Sequence, residues 1–333
     1  MEEVWEQALA CCNPNLGFSA AVADIRCDFY SSCEWTLSLL GQLLNHHAID
    51  RQARHRYAHK IAIIDGNPPH SPFMKGGSHK VASWSGKLTD DTPVLLTKLQ
   101  EREFLMQVGA EVRIVTNGAE GHTICSITES PVDHTVSRRP QPDGYFLPLL
   151  QLLLSAYRIY VLHASAIALQ EQAMLLVGPS GAGKTTMSLA LARAGMEFMG
   201  DDLIAVARQD GEMVVHALLF HPKIEAVPGK GKEVVDCITA ENLNVCHTAR
   251  ISSIISLQRN SETGQEFVNV SRIQVLQWLL AQGNDLRLLW YPWDWFEAAA
   301  AIADVVPGYI WNLPPPEDVD ISLVKKILYS QKS

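Results

Sequence analysis

The chain has 333 residues, with 27 Lys and Arg against 36 Asp and Glu, a formal charge of −9, and 47% of its side chains are hydrophobic. That composition supplies a full core for one large or two ordinary domains, and it excludes a disordered chain, which combines low hydrophobicity with high net charge. The acidic balance argues against nucleic-acid and anionic-membrane partners, both of which are held by surplus Lys and Arg.

No basic segment followed by an apolar one opens the chain, so no signal peptide is expected. The first strand signal is the apolar run Ile61 to Ile64, ending at Asp65-Gly66 and followed by a Gly/Pro/Ser/His-rich stretch from Gly66 to Gly86. Phe104 to Val108 and Glu111 to Val115 read as strands, and Asn117-Gly118 as a turn before a third at Thr123 to Thr128. Together they predict a small, mostly antiparallel sheet. Val136 to Gly144, rich in Pro, Arg and Asp, reads as a linker, and Tyr145 to Tyr157 as a helix. The longest apolar stretch, around Phe146 to Leu154, is too short to span a bilayer and contains Pro148 and Gln151. The seven cysteines (Cys11, Cys12, Cys27, Cys33, Cys125, Cys237, Cys246) are odd in number and form no C-x-x-C pair, which argues against a disulfide framework or structural zinc. A soluble cytoplasmic protein is expected.

Beyond the linker the pattern becomes mixed. Ala173 to Val177 is a continuous apolar run, the form of a buried strand. A helix follows, with Met187, Ala190, Leu191 and Ala194 on one face and Gly195 as its terminating residue. Glu197-Phe198-Met199 is a short strand, and Leu203 to Ala207 with Glu212 to Ala217 flank Asp210-Gly211 as a hairpin. Ile251 to Leu257 (strand), Ile273 to Ala281 (helix) and Val306 to Asn312 (strand) complete the pattern. The fold class expected is α/β: a nucleotide-binding domain over 145–333, preceded by a smaller β-rich domain over 1–140 with substrate recognition as its candidate role.

Between the apolar strand and the helix lies the segment Gly178, Pro179, Ser180, Gly181, Ala182, Gly183, Lys184, Thr185, Thr186, which matches G-x-x-x-x-G-K-[ST]. Glycines let the backbone curl so that successive N–H groups face phosphate oxygens, and the helix N-terminus adds a favourable dipole. Lys184 brings a point charge to the β- and γ-phosphates, and the Thr185 hydroxyl is a Mg²⁺ ligand. The alternative is a glycine-rich turn with a chance lysine. One helix and one short strand later comes Asp201-Asp202. Two adjacent carboxylates at a phosphate site suggest a division of labour, one on the metal and one taking a proton from an attacking hydroxyl; otherwise they form an acidic turn. His163, in LHASAIAL and read as lying on the strand before Ala173 to Val177, is either a hydrogen-bonded core histidine or a phosphate or metal-site contact.

The blocks LHASAIAL, LLVGPSGAGKTTMSLALARAG and FMGDDLIAV together resemble the catalytic domain of the HPr kinase/phosphorylase family. The resemblance implies a P-loop domain related to the ATP-dependent phosphoenolpyruvate carboxykinases, with ATP and Mg²⁺ as cofactors and a serine hydroxyl on a protein as acceptor. Carried onto this chain, Gly178 to Thr186 form the phosphate cradle and Thr185 a magnesium ligand. Asp201 resembles the general base, Asp202 the metal-holding residue and His163 a histidine near the transferred phosphate; which aspartate is the base stays open. Thr185-Thr186 replaces the family's Ser-Glu after the lysine. The later Glu-Ile-Arg-Gly signature has no counterpart, His221 to Val234 being the nearest segment. The layout is more similar to the kinases that tailor lasso peptide precursors, which implies a precursor peptide with a C-terminal serine as partner. HPr kinases are hexameric, so a homo-oligomer is also admitted.

Gly229-Lys230-Gly231-Lys232 is either a loop closing over phosphates or a solvated basic turn, and Lys223, Arg250, Arg259 and Arg272 are candidates for a charge at the γ-phosphate or for surface ion pairs. Trp278, Trp290, Tyr291, Trp293, Trp295, Phe296 and Trp311 form either a peptide groove or core. The leading expectation is an ATP-dependent serine kinase. The alternatives are an HPr-type regulatory or small-molecule kinase, and a non-kinase ATP-binding regulatory module.

Overall fold

Strands in the N-terminal half alternate between buried and more exposed side chains, as in β2 (Ile25–Ser31) and β6 (Glu103–Val108), which marks a sheet with one face in a core. The computed structural model describes residues 2–44, 55–66, 82–87, 93–110, 112–128, 142–218, 223–224, 233–234, 237–258, 266–285 and 292–329. The chain divides into two units, Met1–Arg158 and Ile159–Leu286 with Tyr291–Ser333.

The first unit contains, in chain order, α1 (Glu2–Cys11), β1 (Gly17–Val22), β2, α2 (Glu34–Leu43), β3 (Tyr57–Asp65), β4 (Ala82–Lys87), β5 (Pro93–Gln100), β6, β7 (Val112–Asn117), β8 (His122–Ile127) and α3 (Pro142–Ser155). Among the described residues, eight strands form one sheet in the order β1-β2-β3-β8-β7-β6-β5-β4. The β2–β3 and β3–β8 pairs are parallel and the others antiparallel. The mostly antiparallel character matches the reading of the sequence, but the sheet is larger than predicted because β1, β2, β4 and β5 join it. On one face, α1 seats Trp5 against Ala62, Ile64 and Ile124, with its ring stacked on His122 at 4.5 Å.

The helix predicted over 145–157 is α3, and it begins earlier: residues 142–144, expected to be linker, form its first turn, while 129–141 lie outside the described residues. It packs on β6 and β7, so the passage between units comes after Arg158 instead of in the 140–145 region drawn from composition. Its end is fastened to the sheet. His59 shares hydrogen bonds with Tyr157 Oη (2.8 Å) and Thr123 Oγ1 (2.7 Å), and Arg102 donates to the Ala156 carbonyl (2.8 Å).

The second unit runs β9 (Tyr160–Leu162), β10 (Ser165–Leu169), β11 (Gln172–Val177), α4 (Lys184–Arg193), β12 (Glu197–Gly200), β13 (Ile204–Gln209) and β14 (Glu212–Ala217). It continues with the two-residue pair β15 (Lys223–Ile224) and β16 (Glu233–Val234), then α5 (Cys237–Glu241), β17 (Thr248–Gln258), β18 (Glu266–Val270), α6 (Arg272–Asp285), α7 (Pro292–Val305), β19 (Gly308–Asn312) and α8 (Ile321–Tyr329). The main sheet is ordered β12-β10-β11-β17-β14-β13-β9, and β19 joins β17 to β18. β11 lies parallel to β17, and both are buried along nearly their whole length, which explains their unbroken apolar sequences. α4 packs against β10, β11 and β12. It ends in a Schellman motif: Gly195 has φ +91°, its N–H reaches the Ala192 carbonyl (3.0 Å), and the Met196 N–H reaches that of Leu191 (3.1 Å). Asp210 and Gly211 both have positive φ, the type I′ turn expected of Asp-Gly between β13 and β14. The helices and strands make this a mixed α/β protein, and none of the described helices is long and apolar enough to cross a membrane. Among the described residues, Cys11, Cys12, Cys27, Cys33, Cys125 and Cys246 are free thiols.

Each unit buries a histidine among neutral partners. Burial pushes His59 down to about 3, and burial likewise pushes His216, held by Thr248 and Gln209, down to about 4. Both rings are therefore neutral when folded, and the unfolded chain takes up the extra proton below its ordinary value near 6.5. Stability should be fully present above that value and fall with decreasing pH, by up to about 1.4 kcal/mol per pH unit for each histidine. Urea unfolding at pH 7 and pH 5 measures the fall, and a His216→Val variant should show a shallower one. A wild-type stability equal at both pH values contradicts the assignment.

Candidate functional site

The connection from β11 to α4 is the glycine-rich segment singled out in the sequence, and its backbone explains the glycines. Gly178, Gly181 and Gly183 have φ of +145°, +83° and +100°, values that side-chain-bearing residues rarely adopt. A Cβ on Gly178 would lie 3.1 Å from the Cβ of Ala182 and close to the Leu257 backbone at the end of β17. Gly183 is the N-cap of α4; no side chain caps the helix, and its first turn has no acidic residue. An uncapped helix start reached by a curled, glycine-rich loop suits an anion. Lys184, only 7% exposed, turns its ammonium back onto the carbonyl oxygens of Gly178 (2.8 Å) and Pro179 (3.4 Å). Pro179, Ser180, Gly181 and Thr186 are exposed, and Ala182, Gly183 and Thr185 half-buried.

Thr185, one residue into α4, donates its hydroxyl to Asp201 Oδ2 (2.7 Å). Asp201, the residue after β12, is 3% exposed, and its other oxygen accepts from the Ser165 hydroxyl at the start of β10 (2.5 Å). Burial raises the Asp201 carboxyl above the ordinary carboxylate range; the Ser165 and Thr185 hydrogen bonds work against that rise, and the neighbouring Asp202 charge adds to it. Asp202 has a different environment. Its side chain is 46% exposed and lies 3.0 Å from His163 Nε2, itself only 18% exposed.

The backbone at Asp202 is strained. Its φ is +69°, and the Leu203 N–H bonds the Asp201 carbonyl across it (2.8 Å), which defines the rare positive-φ form of the γ-turn. That conformation turns the two neighbouring carboxylates to different partners: Asp201 inward to two hydroxyls, Asp202 outward to an imidazole.

All four residues expected to carry chemistry, Lys184, Asp201, Asp202 and His163, thus belong to the cluster around the start of α4. His163 is not on the strand leading to β11, as read from the sequence; it occupies the bend between β9 and β10. The run of small apolar residues after it conceals that bend. Ser165 carries no motif of its own, and no local pattern in the sequence singles it out.

The other candidates separate from the cluster. Arg250 lies beside Gln172 at the opposite end of β11 from the loop and pairs with Glu212 (2.7 Å). Arg272 pairs with Asp304 (3.2 Å). Arg259, the Lys223 side chain and Gly229 to Lys232 lie outside the described residues, as do Trp290, Tyr291 and the Trp293 side chain. Trp311 is fully buried and stacked on Phe267 at 4.8 Å, and Trp295 is packed near Tyr160, so these rings are core and not groove, while Phe296 is exposed.

Among the described residues no three His, Cys, Asp or Glu side chains gather into a metal-holding group. Thr185 and Asp201, joined by their hydrogen bond, are instead an all-oxygen pair, suited to Mg²⁺, which is commonly held by one or two carboxylates together with substrate phosphates. The uncapped loop and helix start fit the phosphates of a nucleotide in the same way.

No protein-family model matches the chain, and no curated protein matches it. Among solved structures it is similar to the Hpr(Ser) kinase/phosphatase from Coxiella burnetii, at 16% identity and a TM-score of 0.32, over 52% of this chain and 89% of that one. A likeness at that score assigns neither substrate nor mechanism to this chain.

The strain at Asp202 can be measured apart from its carboxylate. Asp202→Ala and Asp202→Gly both remove the side-chain contact, but only glycine accepts the positive φ freely. The glycine variant should be more stable than the alanine variant by about 1 kcal/mol. Equal unfolding midpoints, or a more stable alanine variant, contradict the strained turn.

Proposed function

We propose that this chain is an ATP-dependent kinase that transfers the γ-phosphoryl group to a hydroxyl, a serine of a peptide or small protein. One observation supports this most: the uncapped helix start that carries Lys184 and Thr185 is joined through Thr185 to buried Asp201, while Asp202, paired with His163, remains open beside it. The same chain thus offers a phosphate cradle, an oxygen-only metal position and an accessible carboxylate.

In this reading the loop amides from Gly178 to Gly183 and the α4 N-terminus hold the phosphates, and the Lys184 ammonium moves from the Gly178 and Pro179 carbonyls onto phosphate oxygens. Thr185 and Asp201 form the magnesium side. A Mg²⁺ held there would supply positive charge against the negative charge on the transferred phosphoryl group. Asp202 is the better general base, the reverse of the order implied by the family resemblance. Both oxygens of Asp201 already accept hydrogen bonds in a buried setting, whereas Asp202 can meet an incoming hydroxyl. The acceptor oxygen forms its bond to the γ-phosphorus as the bond to the β–γ bridging oxygen breaks; the acceptor proton passes to Asp202, and ADP departs. His163, held against Asp202, orients that carboxylate and shares the proton's charge.

The sequence resemblance to the lasso-tailoring kinases guides the choice of acceptor, a precursor peptide ending in serine. With ATP, Mg²⁺ and such a peptide, phosphate should appear on the terminal serine. Asp202→Asn should lower transfer by about 10²- to 10⁴-fold, and Lys184→Ala by about 10²-fold or more. Phosphopeptide mass measurement with parallel ADP release tests this. ADP release that ignores the acceptor favours the regulatory-module reading, transfer to HPr or a small alcohol favours the alternative kinases, and a fully active Asp202→Asn sinks the base assignment.

A further inference from the structure

The aspartate pair is held from one short stretch of chain. His163 and Ser165, two residues apart, meet Asp202 and Asp201 respectively, and the pairing of Ala166 with Gly200 brings the start of β10 alongside the end of β12. Ser165 is fully buried, and its hydroxyl donates to Asp201 Oδ1 while Thr185 donates to Oδ2. A carboxylate gripped at one oxygen cannot rotate freely about its terminal bond, so the Ser165 bond sets the plane in which the other oxygen meets Thr185. That contact in turn fixes the direction of the Thr185 hydroxyl proton and leaves the lone pairs of Oγ1 turned elsewhere.

We propose that Ser165 is a positioning residue for the magnesium side of the site: it locks the Asp201 carboxylate so that Thr185 presents its oxygen as a ligand. The inference rests on the nucleotide reading above and extends it to a residue that touches neither nucleotide nor acceptor. Outer-shell partners of this kind change metal affinity by about 10- to 100-fold when removed.

Calorimetric titration of ATP into the full chain at stepped MgCl₂ concentrations is the test. Ser165→Ala should raise the Mg²⁺ concentration at half-maximal enhancement of ATP binding about tenfold or more, with the affinity for metal-free ATP unchanged. In an Asp201→Ala background, which has lost the magnesium enhancement, the same substitution should leave ATP affinity unchanged at every MgCl₂ concentration, because its route runs through that carboxylate. An unmoved midpoint in a folded Ser165→Ala protein overturns the inference, and so does a further change of ATP affinity in the Asp201→Ala background. If the alanine variant does not fold, Ser165→Cys, close in shape but a poor donor, should show the rise, and an unmoved midpoint there overturns it equally. A wild-type chain that binds no ATP sinks the nucleotide reading and this inference together; Mg²⁺-enhanced binding that ignores Ser165 sinks the inference alone.

Discussion

A carboxylate taken out of water is costly unless it is hydrogen-bonded, and the second unit is organised around one that is. Asp201 is buried at the end of β12, with one hydroxyl from the start of β10 and one from the first turn of α4 on its two oxygens. Hydrogen bonds to a charged group contribute about 1.5–3 kcal/mol each, and leaving either oxygen unpaired forfeits that support. The three elements that meet there are therefore held in one arrangement by a polar constraint, while the apolar faces of β10, β11 and β17 provide the bulk of the core. The glycine loop is fixed at both ends as a consequence, at β11 by the sheet and at Thr185 by Asp201.

From that anchor the difference between the two aspartates follows. Adjacent in sequence, they are separated in environment by the strained turn at Asp202, which sends one side chain inward and the other toward solvent. Pairs of titratable groups placed in contrasting surroundings are how one site performs two tasks. The buried member suits a fixed role beside a metal; the half-exposed member, with His163 against it, suits proton transfer. Strain of about 1–3 kcal/mol persists only where the surroundings over-determine it, and here the Asp201 contacts on one side and β13 on the other do so.

The parts legible in the sequence were local ones. The apolar run of β11, the glycine-rich turn and the extent of α4 are set within a single stretch, and the Asp210-Gly211 hairpin and Gly195 stop carry their own turn chemistry. The buried side of α4 differs from the predicted face: Met187 and Leu191 are buried with Ser188, Leu189 and Ala192, whereas Ala190 is half-buried and Ala194 exposed, because the sheet covers more of the helix than one narrow stripe. The N-terminal sheet was only partly legible. The β1–β2 turn uses Ala23 and Asp24, and the β10–β11 turn Gln170 and Glu171, all at positive φ with no glycine to announce them. β2 and β3 are joined in parallel through α2, a pairing that no local pattern specifies. The site divides in the same way. Lys184, Thr185 and the aspartates were visible as motif residues, but Ser165 became visible only when β10 and β12 were paired, and the contrasting burial of Asp201 and Asp202 cannot be read from an Asp-Asp dipeptide.

Under the proposed function the two carboxylates divide their tasks, Asp201 beside the metal and Asp202 at the acceptor. ATP binding to Asp201→Asn and Asp202→Asn, each with and without Mg²⁺, tests this division most directly. Asp201→Asn should lose the magnesium enhancement of ATP binding, and Asp202→Asn should keep it. Enhancement retained in Asp201→Asn and lost in Asp202→Asn would contradict the division.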